Sequence, residues 1–259
     1  MPPKVATSPN ALSELSNQLA LAVAGASDSI VAIHARRRIP SSGIVWRDGV
    51  IVSASHTVKR DEDISVTLPN GESAAATIAG RDPSTDLVAL TFTGKADVAT
   101  RAEANALRVG ALVLAVGRPG RDVTASFGIV SAIAEGWRTW QGSRVERAVR
   151  LDLAIYDGYS GGPLLDASGA VLGVNNSALA RGTPMALPAA VVDRVVGELA
   201  GLLVGDVLLE ADGKALRRPI DLLDALDSAR AGASVSIRLL RGGTQSTVSV
   251  TPADRQEAA

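Results

Sequence analysis

The chain has 259 residues, of which 46% are hydrophobic and only 3% aromatic, so it holds one medium and one small domain with cores built from Val, Leu, Ile and Ala. Its formal net charge of -1 gives no electrostatic reason for nucleic acid or an anionic membrane as partner. With no cysteine, disulfides and thiolate metal sites are excluded, and the arginines of 36–38 and 144–150, balanced by nearby acids, read as solvated faces.

Residues 1–9 are polar, contain proline and are expected to lack order. Asn10 then stands where a helix cap belongs, with Leu12, Leu15, Leu19, Leu21 and Val23 following at roughly helical spacing. The apolar residues of 19–26 are too short a run, and too poorly flanked, for a signal peptide. No stretch reaches the roughly 18 apolar residues of a membrane span. A soluble chain is expected, cytoplasmic as written.

From Ser29 to about Pro188 the sequence alternates short apolar strands with Gly, Pro, Asn and Asp turns, the pattern of an all-β barrel or sandwich. The chain has two histidines. His34 lies on an alternating strand followed by arginines and reads as a surface or strand-edge residue. His56 ends the apolar run 49–58, where a histidine is held by the core yet faces a cleft. Pro69-Asn70-Gly71 is a hairpin turn. Asp86 stands in a turn feeding the apolar strand 87–90, and an aspartate entering a buried strand needs a partner, for which a histidine N–H is suited. Asp82, which precedes a proline, is expected to cap that turn.

The connection 136–146 holds two of the three tryptophans and reads either as a mobile surface loop that contacts a peptide or a neighbouring subunit, or as a segment packed on the barrel. The stretch Asp157-Gly158-Tyr159-Ser160-Gly161-Gly162-Pro163-Leu164 gives a serine the backbone setting of a nucleophile. Glycines on both sides permit positive φ, so the N–H groups of Gly158 and Ser160 can point together at one spot, a candidate oxyanion hole.

The order His56, Asp86, Ser160, each in its own local phrase, resembles the trypsin-like serine proteases and most closely the HtrA (Deg) family. The phrases that carry the likeness are Ser42-Gly43, Ser53-Ala54-Ser55-His56-Thr57-Val58, Leu68-Pro69-Asn70-Gly71-Glu72, residues 82–90, Gly128-Ile129-Val130-Ser131-Ala132-Ile133, residues 158–164, Gly169-Ala170-Val171-Leu172-Gly173-Val174 and Ala186-Leu187-Pro188. The resemblance implies an all-β, chymotrypsin-like fold of two packed six-stranded antiparallel barrels with the catalytic residues in the cleft between them. His56 and Asp86 would come from the first barrel and Ser160 from the second. His56 would act as base, Asp86 would orient it, and Gly158 and Ser160 N–H groups would hold the oxyanion, with no metal or organic cofactor. By family position, Ala154, Ile155, Asn175, Asn176, Ser177 and Ala178 would line the substrate pocket. None is charged, which implies cleavage after small or medium aliphatic residues. Two departures stand out: Tyr159 where the family usually has Asn, and Asp157 where Pro is common.

Residues 189–199 read as the helix that closes the protease domain. Ala200-Gly201-Leu202-Leu203-Val204-Gly205-Asp206-Val207-Leu208-Leu209 resembles the middle of a PDZ domain, with a helix over 220–229 and a hairpin over 235–240 and 247–250 to follow. The front of such a domain, with its carboxylate-binding loop, is missing from the sequence, so no ordinary C-terminal peptide capture is expected. The organisation expected is a tail and helix over 1–27, a trypsin-like protease domain over 28–199, a small reduced α+β PDZ-like domain over 200–252 and a tail over 253–259. The family is often trimeric through N-terminal aromatic residues, and residues 1–38 contain none, so a homo-oligomer stays open and the trimer is unsupported. Family members commonly act outside the cytoplasm, so a trimmed chain implies a periplasmic or extracytoplasmic protein. Three functions remain: a serine endopeptidase for unfolded or misfolded polypeptides, a catalytically silent binding or chaperone protein, and an esterase using the same triad.

Overall fold

The computed structural model describes residues 10–103, 106–138, 144–180, 182–199, 207–228, 235–241 and 244–250. The chain divides into two compact units, Met1–Val196 and Gly197–Ala259. Among the described residues no helix is long and apolar enough to cross a membrane. The expected disorder of residues 1–9 and the contacts of Trp140 lie outside the described residues.

The first unit opens with α1 (Ala11–Ala26), whose start is set by Asn10: its Oδ1 accepts the Ser13 N–H at 2.8 Å, satisfying one of the free donors of the first turn. The leucine spacing does form a helix, but the helix does not bury its leucines. Leu12 and Leu21 are 76% and 70% exposed, while Ala22 and Ala26 are buried. The turn before the eleventh strand comes so close that a Cβ on Gly169 would lie 2.8 Å from the Ala22 carbonyl oxygen, and only small helix residues permit that approach.

Strands β1 (Ile30–His34), β2 (Ser41–Arg47), β3 (Val50–Ala54), β4 (Ile64–Thr67), β5 (Ser73–Asp82) and β6 (Leu87–Phe92) close a barrel in the order β1-β2-β3-β6-β5-β4. Alternate residues point inward, so Val31 and Ile33, Val45, Ile51, Val66, Val88 and Leu90 make its core. The predicted turn at Pro69-Asn70-Gly71 joins β4 to β5, with Gly71 at φ +86° and the Leu68 N–H bonded to the Glu72 carbonyl at 2.8 Å.

Strands β7 (Leu112–Gly117), β8 (Thr124–Arg138), β9 (Arg144–Asp152), β10 (Pro163–Leu165), β11 (Val171–Asn176) and β12 (Met185–Pro188) close a second barrel in the order β10-β11-β12-β9-β8-β7. Val113, Val130, Val149, Leu151, Leu164 and Leu172 fill it. Much of the segment read as a loop over 136–146 is strand: β8 and β9 pair as far as Trp137↔Val145 and Arg138↔Arg144. Helix α2 (Ala189–Leu199) follows, burying Val191, Val192, Val195 and Val196. Trp46 of β2 ties α2 to the first barrel. Fully buried, it donates from Nε1 to Asp193 at 2.9 Å and carries the Arg101 guanidinium 5.2 Å from its ring centre.

The second unit contains β13 (Val207–Ala211), β14 (Lys214–Ala215), α3 (Pro219–Ser228), β15 (Val235–Arg241) and β16 (Thr244–Val250), with sheet order β14-β13-β15-β16. Its core is small: Ala211, Val235 and Ile237, with Leu208, Leu216, Leu222 and Leu226 packed against them.

Candidate active site

His56 sits on a single 3-10 turn, Ser55–Thr57, directly after β3. The turn is pinned by the Thr57 hydroxyl donating to the Ala54 carbonyl at 2.7 Å and the Val58 N–H to the Ser55 carbonyl at 3.1 Å. Asp86 immediately precedes β6 at φ +57°, a left-handed conformation that Asp tolerates better than most residues, and its carbonyl accepts the Ser55 N–H at 2.7 Å. This bend turns the carboxylate back toward the histidine. Oδ1 accepts the His56 backbone N–H at 2.8 Å and Oδ2 meets His56 Nδ1 at 2.5 Å. With Nδ1–H donating a hydrogen bond to the carboxylate, the imidazole keeps a lone pair on Nε2. The other histidine, His34, is bonded through Nε2 to Thr67 Oγ1 at 2.8 Å across the β1–β4 edge and takes no part.

Asp82 caps its turn: Oδ1 accepts from the Ser84 N–H and hydroxyl at 2.9 and 2.6 Å, and Oδ2 from Thr85 at 2.7 Å. Burial alone would raise its carboxyl, but these hydrogen bonds, with the Arg194 charge, outweigh it and hold the group below its ordinary value. The capped turn places Asp86 at its end.

Ser160 follows a β-turn closed by the Tyr159 N–H on the Tyr156 carbonyl at 3.0 Å, with Gly158 at φ +92°. After it the loop lies flat on the first barrel, where a Cβ on Gly161 would stand 2.1 Å from Ser53 Oγ. Main-chain bonds fasten it: Gly161 N–H to the Asn175 carbonyl, Asn175 N–H to the Gly162 carbonyl, and Gly162 N–H to the Tyr159 carbonyl, each at 2.9 Å. Among the described residues the N–H groups of Gly158 and Ser160 have no acceptor. Tyr159 is 4% exposed, packed beside Gly117 and edge-on to Tyr156 at 5.5 Å, so its ring is turned into the protein.

The Ser160 hydroxyl contacts Ser177. The two Oγ atoms are 2.9 Å apart, and the Ser177 N–H donates to Ser160 Oγ at 3.2 Å. No hydrogen bond joins Ser160 to His56 among the described residues.

Of the residues assigned to the substrate pocket, Ala154 is exposed, with its carbonyl accepting from Ser126 Oγ at 2.5 Å, and Ile155 is half-buried against the second barrel core. Asn175 and Asn176 are fully buried and their side chains are committed elsewhere. Asn175 Nδ2 donates to the Pro163 carbonyl at 2.7 Å, behind the Ser160 loop. Asn176 Nδ2 donates to Asp86 Oδ2 at 2.8 Å, while its Oδ1 accepts from Ala178 and Leu179 at 2.8 and 3.1 Å. Sequence reasoning missed these roles, and it missed Ser42 and the buried Arg118, which hold the Gly158 turn from behind. The signal available for the asparagines was two consecutive amides ending an apolar strand, since buried amides need partners.

A trypsin-like peptidase domain model matches residues 41–174 and a PDZ domain model residues 171–251. A probable periplasmic DegP-like serine endoprotease of Pseudomonas putida (strain W619) is 28% identical over 265 residues, covering 82% of this chain and 55% of the relative. The Do-like serine protease HtrB of Bacillus subtilis (strain 168) is 36% identical over 146 residues, 52% of this chain and 32% of the relative. Among solved structures, a serine endoprotease from Yersinia pestis has a TM-score of 0.58 at 26% identity, covering 98% of this chain and 100% of that one. The HtrA-type protease AlgW with a tripeptide, at 23% identity, shares the fold with a TM-score of 0.62 over 93% of this chain and 98% of its own. The chain spans about half the length of the first of the curated relatives it matches. With two closed six-stranded barrels and a family match covering more than half of its residues, the chain belongs to the trypsin-like peptidase family, and its relatives are HtrA/DegP-type serine proteases.

Proposed function

We propose that the chain is a serine endopeptidase of the HtrA type that hydrolyses peptide bonds in unfolded or misfolded proteins. The observation that carries this reading is the two-point grip of one carboxylate on His56, through its backbone N–H and its Nδ1. Ser160 attacks the peptide carbonyl carbon as its proton passes to His56 Nε2, and Asp86 stabilises the imidazolium. The unengaged N–H groups of Gly158 and Ser160 receive the oxyanion, each contributing about 3 kcal/mol where such donors have been measured. His56 then gives the proton to the leaving amine as the C–N bond breaks, and water releases the acyl group by the same steps in reverse. None of Ala154, Ile155, Ser177 and Ala178 carries a charge, which supports cleavage after small or medium aliphatic residues. The DegP-like relatives are named as periplasmic, and that compartment is proposed for this chain on the same likeness.

Labelling by a fluorophosphonate, read as intact mass, tests the reading. A single adduct is expected on the chain and none on Ser160→Ala; no adduct on folded protein, with or without the Ser177 hydroxyl, would overturn it. The second reading, a catalytically silent binding protein, is favoured by one observation: Ser160 is bonded to Ser177 and not to His56. In that case no protein substrate is cleaved, although unfolded polypeptide is still bound.

A further inference from the structure

We propose that Ser177 restrains the nucleophile: it holds Ser160 out of register with His56 in the resting protein, and substrate must displace it for attack to begin. The inference rests on the endopeptidase reading above and concerns the regulation of that same site.

The geometry gives Ser160 Oγ two polar neighbours, both from one residue: the Ser177 hydroxyl at 2.9 Å and the Ser177 N–H at 3.2 Å. Either direction of the hydroxyl–hydroxyl bond opposes catalysis. If Ser160 donates, the proton that His56 must remove points at Ser177. If Ser177 donates, the attacking oxygen has its lone pairs occupied by two donors and is a weaker nucleophile. In neither case is the serine–histidine bond made, and none occurs among the described residues.

Ser177 is not a wandering side chain. The amide of the preceding residue fixes its turn, with Asn176 Oδ1 accepting from the N–H groups of Ala178 and Leu179 at 2.8 and 3.1 Å. The other end of the same amide grips Asp86. The restraint and the orientation of the acid therefore stand on one side chain. Ser177 itself is exposed, so an arriving polypeptide can reach it, whereas Ser160 is 4% exposed and cannot swing freely. An exposed hydroxyl is also replaceable without a cavity or a buried unpaired group, and Ser177→Ala is therefore a test of the contact and not of the fold.

The experiment is a time course of fluorophosphonate adduct formation by intact mass on the full chain, Ser177→Ala, Ser177→Thr and the double variant Ser177→Ala/Ser160→Ala. Loss of one modest hydrogen bond corresponds to labelling about 3- to 10-fold faster in Ser177→Ala. Ser177→Thr keeps the hydroxyl and labels more slowly than Ser177→Ala, and the double variant takes no adduct. Labelling of Ser177→Ala at or below a measurable parental rate overturns the restraint and leaves the endopeptidase reading standing. Ser177→Thr labelling as fast as Ser177→Ala also overturns it. No adduct on either parent or Ser177→Ala, with both folded by circular dichroism, overturns the two together. An adduct on Ser177→Ala alone supports both.

Discussion

Ser42 Oγ donates a 2.6 Å hydrogen bond to the Gly158 carbonyl, joining residues 116 positions apart and locking the turn before Ser160 onto strand β2. The same oxygen accepts the Arg118 N–H at 2.7 Å, and the Arg118 guanidinium, itself buried, reaches the carbonyls of Ser27, Ile30 and Arg121. The end of α1, the start of β1 and the Gly158 turn are therefore connected through Ser42 and Arg118. Removing the Ser42 hydroxyl leaves a buried carbonyl and a buried N–H unpaired.

The first expectation concerns that connection. Ser42→Ala should cost about 1–3 kcal/mol of stability, the usual penalty for orphaned buried groups. It should also slow fluorophosphonate labelling at a temperature where the variant is still folded, because the Gly158 N–H is no longer aimed. Thermal unfolding and labelling rate are measured on the same sample; a destabilised variant that labels at the parental rate would show that the turn holds its shape without Ser42.

Asp86→Asn is the second. The left-handed φ of +57° is one that asparagine accepts, so the fold is expected to survive. The amide no longer offers an anion to the imidazole and favours the wrong tautomer. Where the same change has been made in a Ser-His-Asp triad the rate fell on the order of 10⁴-fold, and a loss of that order in peptide hydrolysis is expected here. A loss below about tenfold would remove Asp86 from the mechanism.

Much of this was readable in the chain itself, for a physical reason. Each member of the proposed triad stands in a particular backbone setting, and those settings are local: the glycines about Ser160, the end of an apolar strand at His56, the capped turn before Asp86. What was not readable depends on distant partners. Nothing adjacent to Asn176 says that it meets Asp86, 90 positions away, and nothing near Ser177 says that it meets Ser160. The helix α1 makes the same point from the other side. Its leucines recur with helical spacing, but Leu12 and Leu21 remain exposed because the barrel approaches through Ala22 and Ala26. Periodicity reports the helix; it does not report which face is met.

The third expectation is an acid dependence. The Asp82 carboxyl is held below its ordinary value in the fold, so its ionised form favours folding. That contribution is complete above the unfolded value of about 4 and is lost as pH falls through the lower folded value. Comparing the parent with Asp82→Asn by chemical unfolding isolates this group from the other carboxylates. The stability advantage of the parent should be full at pH 6 and shrink progressively below about pH 4. An advantage that is the same at pH 6 and pH 3 would mean that the cap does not depend on charge.

The fourth expectation tests the position of the substrate pocket. Ala154 is exposed, and the hydrogen bond it makes from Ser126 uses its carbonyl, so Ala154→Asp changes the side chain and leaves that bond intact. If Ala154 lies at the base of the pocket, a carboxylate there should attract the ammonium or guanidinium of a substrate side chain and repel none of the aliphatic ones by shape. Cleavage after Lys or Arg should then rise relative to cleavage after Val or Ala by at least about tenfold, the scale of one favourable charge-assisted contact. Profiling with a peptide library separates the possibilities. A shift toward basic residues places Ala154 beneath the scissile residue. A profile that does not change puts the pocket elsewhere, and the preference for aliphatic residues loses its structural basis, whatever Ser160 is found to do.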